Sequence, residues 1–295
     1  MTDTVINLSR VSKKFGQHFA LEDVTYQVQR GSVFALLGEN GAGKTTTIRI
    51  LLGLCEPDSG TRSVLGLDSK QHDLKIRQSV GYVPEQPVLY DWMTVAETGT
   101  FAASFYPPNY LERYHHWLKE YDLRPEAKIK TLSKGQRAKV SLSAALAHDP
   151  ELLILDEPTS GLDAMVRREF LESMVDRAAT GRTVFLSSHQ ISEVERVADT
   201  IAIMKKSRML LIEPLDELKS RTHLVTVTFN DDVSGVACDT LLTQIIEQRI
   251  DGRELRLVGH GLREDADRML RERADIARYE IRTPSLEEIF VSYMQ

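Results

Sequence analysis

The chain of 295 residues predicts an α/β fold, a parallel sheet flanked by helices followed by a second, smaller α/β unit. Three observations carry that prediction. Compact apolar runs recur along the first two thirds of the chain, separated by residues at helical spacing, as expected of strands buried on both faces. A glycine-rich stretch, GENGAGKTT at Gly38 to Thr46, joins one such run to a helical segment. At Pro214 the pattern changes to alternating strands. One domain of ordinary size would leave a substantial remainder, so two are expected, residues 1–214 and 215–295.

Val33 to Leu37 is the apolar run entering the glycines, and Thr45 to Leu54 reads as the helix leaving them. Strand, loop and helix in that order are the context of a phosphate-binding loop. Leu152 to Leu155, Thr183 to Leu186 and Ile201 to Met204 are further buried strands, and Val166, Phe170 and Met174 at spacing four mark a helix between them. Ligands of such sheets sit beyond the carboxyl ends of the strands. Between Gln86 and Pro150 the aromatic-rich, helical pattern predicts an inserted helical subdomain over residues 86–150. Phe101, Phe105, Tyr106, Tyr110, Tyr114 and Trp117 are expected mostly in its core, whereas Tyr90, Trp92 and Met93, directly after Gln86, are expected partly exposed.

Beyond Pro214, Leu224 to Phe229 alternates as a strand, and Gln248 to Val258 reads as two strands around Asp251-Gly252, a pair favoured in type I′ hairpins. Leu262 to Ala274 is expected to be helical, Tyr279 to Thr283 a strand, and Ser285 to Met294 a final helix opened by a Ser285–Glu288 capping box. A small α/β sandwich of about 80 residues fits, with a ferredoxin-like arrangement as its candidate topology.

Composition is that of an ordinary globular protein, 42% hydrophobic and 27% charged. A net charge of -6 argues against a nucleic-acid partner, because phosphate contacts need clustered Lys and Arg. Cys55 and Cys238 are too few for a disulfide scaffold or a four-thiolate zinc site and read as two unpaired thiols in a reducing cytosol. No stretch approaches the roughly 20 apolar residues that span a bilayer, and MTDTVINLSR lacks the features of a signal peptide. The expectation is a cytoplasmic chain whose membrane role, if it has one, comes through a partner.

The glycine-rich loop holds the densest chemistry. Gly38, Gly41 and Gly43 let the backbone wrap a phosphate, and the amides from Glu39, Asn40 and Ala42 to Thr46 point at it. Lys44 supplies charge for the β and γ phosphates, and the Thr45 hydroxyl is positioned for Mg2+. Asp156 ends a buried strand, a costly place for a carboxylate unless it holds Mg2+ through water. Glu157 follows at the strand tip, the natural general base for an attacking water. His189 ends the next strand on the same rim, where it can bond the γ phosphate or orient Glu157. Gln86 enters the helical insert, and its neutral amide can touch Mg2+ or water while moving with that insert.

Over Met1 to about Pro214 the chain resembles an ABC transporter nucleotide-binding subunit, a P-loop NTPase of the ABC ATPase type. Gly38 to Thr45 resembles its Walker A loop, Gln86 its Q-loop, LSKGQ at Leu132 to Gln136 its signature and Leu152 to Glu157 its Walker B segment. Ser160 to Asp163 resembles the D-loop and His189 the switch histidine; LSKGQ is the discriminating piece. The resemblance implies ATP and Mg2+ as ligands, with Thr45, Gln86 and Asp156 at the metal. It also implies a second ATPase subunit packed head to tail, so that Ser133, Gly135 and Gln136 of one copy cover the nucleotide held by the other. A helix N-terminus at Ser133 agrees, since it favours a phosphate. Lys134 replaces a glycine of the family pattern, and Phe15 stands where a tyrosine commonly stacks on adenine.

The ending PSLEEIFVSYM, Pro284 to Met294, resembles the tail of ABC-2 exporter ATPase subunits. The implied function is ATP hydrolysis that powers transport, in the direction of export, through an integral membrane subunit docked near Tyr90 to Met93 at the cytoplasmic face. An ABC-type ATPase of DNA repair or translation is the alternative, but fewer than 90 residues separate the loop from the signature and the motifs occur once. The C-terminal unit is a candidate sensor or dimerisation module.

Overall fold

The computed structural model describes residues 3–232 and 241–295. Strands β1 (Thr4–Phe15), β2 (His18–Gln29) and β3 (Val33–Gly38) lead into helix α1 (Lys44–Leu51). Then come β4 (Ser59–Val64), β5 (Leu67–Asp68), α2 (Asp73–Ser79) and β6 (Val80–Val83). The insert carries α3 (Val95–Ala103), α4 (Tyr110–Glu120) and α5 (Lys134–Leu146). The chain returns through β7 (Leu152–Asp156), α6 (Ala164–Ala179), β8 (Thr183–Ser188), α7 (Ile191–Val194), β9 (Thr200–Lys205) and β10 (Arg208–Pro214). After these lie α8 (Leu215–Arg221), β11 (Thr222–Phe229), β12 (Leu242–Asp251), β13 (Glu254–Leu262), α9 (Ala266–Arg271), β14 (Ile276–Arg282) and α10 (Leu286–Met294). The chain divides into two compact units between Ile212 and Glu213.

In the first unit, β10-β9-β3-β8-β7-β6 form one sheet, with β9, β3, β8, β7 and β6 parallel. Every residue of β3, β7 and β8 is buried, so both faces of the sheet are covered. One face packs on α1 and on a second, antiparallel sheet ordered β2-β1-β4-β5. Tyr26, Phe34 and Phe185 stack across that layer with centroids 5.3 and 5.6 Å apart. This antiparallel sheet is absent from the sequence reading, although Val24, Tyr26 and Val28 alternate inward along β2. Helix α1 stops at Leu51, short of the expected Leu54. Gly53 takes φ 68° there, and the Leu54 amide bonds back to the Arg49 carbonyl at 2.8 Å.

The helical insert differs from expectation in which aromatics it buries. Tyr110 and Tyr114 are fully buried and Tyr106 and Trp117 half-buried, but Phe101 and Phe105 are exposed. They stack edge to face with each other, and Phe101 with Tyr90, on the outer surface beside α3. Tyr90 and Trp92 are exposed as expected, whereas Met93 is buried, held by the Val95, Leu118 and Ile129 cluster. Gly99 is what lets α3 approach α4 there: a Cβ on it would lie 2.1 Å from the Tyr114 ring.

The second unit is a four-stranded sheet ordered β12-β13-β11-β14, with all neighbours antiparallel. That order and those directions are the ferredoxin-like ones. Helix α9 packs Ala266 and Leu270 onto Val225, Val227, Leu255 and Leu257. Leu224 and Val258 face the other way by strand alternation and are buried too, with α8 and α10 packed on the sheet. The hairpin loop is Gly252-Arg253 between paired Asp251 and Glu254. Only Gly252 has positive φ, so the type I′ turn expected at Asp251-Gly252 is not formed. The helix expected from Leu262 is only α9, because β13 runs on through Leu262. Ser285 and Glu288 form the expected capping box. Cys55 is a free, half-buried thiol, and Cys238 lies outside the described residues.

Candidate active site

Strand β3 delivers Gly38 to the carboxyl edge of the parallel sheet, and the loop turns there into α1. Gly43 caps α1 with φ 113°, and a Cβ on it would meet the Ala20 carbonyl at 2.4 Å, so only glycine fits. Asp156 and Glu157 end β7 beside it, and His189 follows β8. Parallel pairing of β3, β8 and β7 therefore brings segments far apart in sequence to one rim.

Lys44 is buried, and its Nζ donates to the carbonyl oxygens of Gly38 (2.7 Å) and Glu39 (3.3 Å). It lies 3.1 Å from Glu157 Oε1, an ion contact without hydrogen-bond alignment. Glu157 adopts φ 48°, a strained value for a non-glycine residue, and that turn brings its buried carboxylate back toward the loop. Its Oε2 accepts from the His189 amide (3.2 Å) and lies 2.7 Å from His189 Nδ1. Glu157 thus touches both other members of the expected catalytic set. Ser187 supports the pair: its hydroxyl donates to Asp156 Oδ1 (2.6 Å) and accepts from the Glu157 amide (3.2 Å). Thr45 Oγ1 lies 3.4 Å from Asp156 Oδ1. Burial pushes the nearby Tyr82 hydroxyl up to about 12, with the Asp156 charge acting in the same direction.

A cleft of about 390 Å³ opens over these groups, lined by Glu39, Asn40, Gly41, Gly43, Lys44, Thr45, Thr46, Glu157 and His189. Ala20, Glu85 and Ser160 complete the lining. One lysine among three carboxylates suits an anion only if a cation comes with it. Two hard oxygen donors side by side, Thr45 and Asp156, fit Mg2+, which takes few protein ligands and keeps phosphate oxygens and water. No cluster of three or more His, Cys, Asp or Glu suited to a metal exists among the described residues.

Gly38, Ala42 and Asp156 are buried beneath or beside the lining residues, and five other expected site residues stand apart from the cleft. Gln86 lies exposed in a bend with Glu85, and Glu85 is the one that reaches the cleft. Phe15 is 55% exposed at the tip of the β1–β2 hairpin, which excludes a core role for it. Ser133, Gly135 and Gln136 begin α5, where Ser133 and Gln136 cap each other and Gly135 packs on Val166 of α6. The sequence reading missed Ser187, though a hydroxyl at the end of an apolar strand needs a partner.

The family model for the ABC transporter matches residues 21–160. The chain is 30% identical to the uncharacterized ABC transporter ATP-binding protein YhaQ of Bacillus subtilis over 294 residues, covering 97% of each chain. It is 31% identical to the Nod factor export ATP-binding protein I of Ralstonia nicotianae, covering 83% of this chain and 78% of that one. The dimeric structure of MJ0796, a bacterial ABC transporter cassette, superposes with a TM-score of 0.64 at 25% identity, over 71% of this chain and 98% of that one. This chain belongs to the ABC transporter ATP-binding proteins and is an ABC-type ATPase. No helix among the described residues is long and apolar enough to cross a membrane.

Proposed function

We propose that this chain binds ATP with Mg2+ in the cleft above β3 and β7 and hydrolyses it between two facing ATPase subunits to drive export through a separate membrane subunit. The observation that carries the reading is Glu157, whose two carboxylate oxygens reach Lys44 and His189 at the mouth of the phosphate loop. The amides of Gly41 to Thr46 and Lys44 bind the phosphates. Thr45 and Asp156 hold Mg2+, which supplies positive charge against the phosphate oxygens. Glu157 takes a proton from the attacking water, and His189 holds that carboxylate and the γ phosphate in line. Phe15 offers its exposed ring to the adenine, and Gln86 joins the site as the insert moves.

Ser133, Gly135 and Gln136 serve the nucleotide of the second subunit, which accounts for their position away from this chain's own cleft. The solved relative named as dimeric supports the pairing. The membrane subunit docks near Tyr90 to Met93. Exposed Tyr90 and Trp92 stand there with centroids 5.9 Å apart, beside an apolar groove of about 480 Å³ lined by Leu54, Val88, Tyr90 and Phe101. Docking there puts the chain at the cytoplasmic face of the membrane. The relative named for export favours that direction. Purified chain with Mg2+ and radiolabelled ATP tests the chemistry: Glu157→Gln should retain ATP binding and lose hydrolysis. Hydrolysis at the wild-type rate would remove Glu157 from the role of base.

A further inference from the structure

We infer that Glu193 is a positioning residue for hydrolysis: it fastens the loop that carries Glu157 to the segment that carries His189, and so sets the contact between them. The inference rests on the function proposed above. Glu193 sits in α7, four residues beyond His189, and is 7% exposed. A carboxylate so buried is costly unless donors surround it. Its donors come from both sides of the site. Thr159, two residues beyond Glu157 and itself buried, donates its hydroxyl to Glu193 Oε2 at 2.6 Å. Arg167 of α6 makes an ion contact, its Nε 2.9 Å from Glu193 Oε1, and donates Nη2 to the Leu162 carbonyl of the same loop at 3.0 Å. The Gln190 side-chain amide nitrogen also donates to Glu193.

At its start the loop is anchored by the Glu157 amide, which donates to the Ser187 carbonyl (3.1 Å) and hydroxyl (3.2 Å) of β8, and beyond Glu157 it is held by its own turns and by the Asp163 cap on α6. Its internal bonds run from the Ser160 amide to the Glu157 carbonyl and from the Leu162 amide to the Thr159 carbonyl, both 3.1 Å. The α7 segment meets the Glu157 side chain through the 2.7 Å His189 contact, which needs both segments fixed. Glu193 adds a second tie between them, two residues beyond Glu157 on one side and four beyond His189 on the other. Ser160, in the middle of the tethered loop, lines the cleft, so slackening the tether also moves a cleft wall. None of the Glu193 partners binds the phosphates, so its loss should slow the chemical step and leave nucleotide affinity in place.

The test measures ATP hydrolysis and ATP affinity on the full-length chain for Thr159→Val, Glu193→Gln, Glu193→Ala and the Thr159→Val/Glu193→Ala double variant, beside wild type and Glu157→Gln. Thr159→Val removes one hydroxyl at nearly constant volume, so it remains informative if Glu193→Ala folds poorly. We expect kcat to fall about tenfold for Thr159→Val and further for Glu193→Ala, with Kd for ATP within about twofold of wild type. Glu193→Gln keeps an oxygen for Thr159 and should recover part of the loss. The double variant should be no worse than Glu193→Ala. Unchanged kcat in Thr159→Val, losses that multiply, or a loss confined to ATP affinity would each overturn the inference. If wild type hydrolyses no ATP, or Glu157→Gln hydrolyses it normally, the proposed function fails instead.

Discussion

Removing the charge of Lys44 should destabilise the unliganded protein more than removing that of Glu157, although the two form one ion pair. Their side chains are 6% and 9% exposed, with 3.1 Å between Nζ and Oε1. Breaking a buried pair by deleting one partner costs about 3–5 kcal/mol, chiefly because the other charge is stranded. In Lys44→Met the stranded charge is Glu157, which keeps only the His189 amide and ring on Oε2. That places the cost near the lower bound, about 3 kcal/mol. In Glu157→Gln, Lys44 still has the Gly38 and Glu39 carbonyls, so the cost falls to about 1–2 kcal/mol. The double variant should cost at least about 1 kcal/mol less than the two single losses together. Urea denaturation without nucleotide measures all three, and for a unit of this size the Lys44→Met loss corresponds to a melting point lower by on the order of 10 °C. Lys44→Met within about 0.5 kcal/mol of wild type would refute the reasoning, because the pair would then be neither dry nor coupled.

Three further outcomes can be checked. Gly43→Ala, with φ 113° and a carbonyl 2.4 Å from the new methyl, should lose about 3 kcal/mol and show no measurable ATP binding by fluorescent-nucleotide titration. Gly99→Ala puts a methyl 2.1 Å from a Tyr114 ring whose hydroxyl is tied to the Val95 carbonyl at 2.9 Å, and should cost about 2 kcal/mol by thermal melting. The Arg282 guanidinium holds the Glu288 carboxyl at about 2, below its ordinary value, so its contribution is complete above about pH 4.5 and disappears as pH falls toward 2. Glu288→Gln should therefore flatten the acid side of the stability profile between pH 4.5 and 2 in acid denaturation, by about 1 kcal/mol once solvent screening of this partly exposed pair is allowed for.

What the sequence disclosed follows a physical division. Val33 to Leu37, Leu152 to Leu155 and Thr183 to Leu186 announce buried parallel strands because both their faces must be apolar, and Gly43 announces a backbone shape no other residue accepts. Lys44, Glu157 and His189 were legible because a charged or titratable side chain at the tip of such a strand is costly unless a ligand or a partner meets it there. The antiparallel sheet was less so, since β1 and β2 mix buried and exposed positions and carry register shifts that break alternation. The exposure of Phe101 and Phe105 was hidden because an aromatic looks the same in a core and on a binding surface. Glu193 was invisible for a different reason: its meaning lies in Thr159, on the loop after β7, and Arg167 of α6.

The central claim is that ATP joins two subunits, with Ser133 of one reaching the nucleotide of the other. Sedimentation of full-length Glu157→Gln with Mg2+ and ATP, compared with the same protein lacking nucleotide, tests it most directly. ATP addition should shift the protein from one copy to two, and Ser133→Arg should abolish the shift. A protein that binds ATP at saturation and still sediments as a single copy would contradict it.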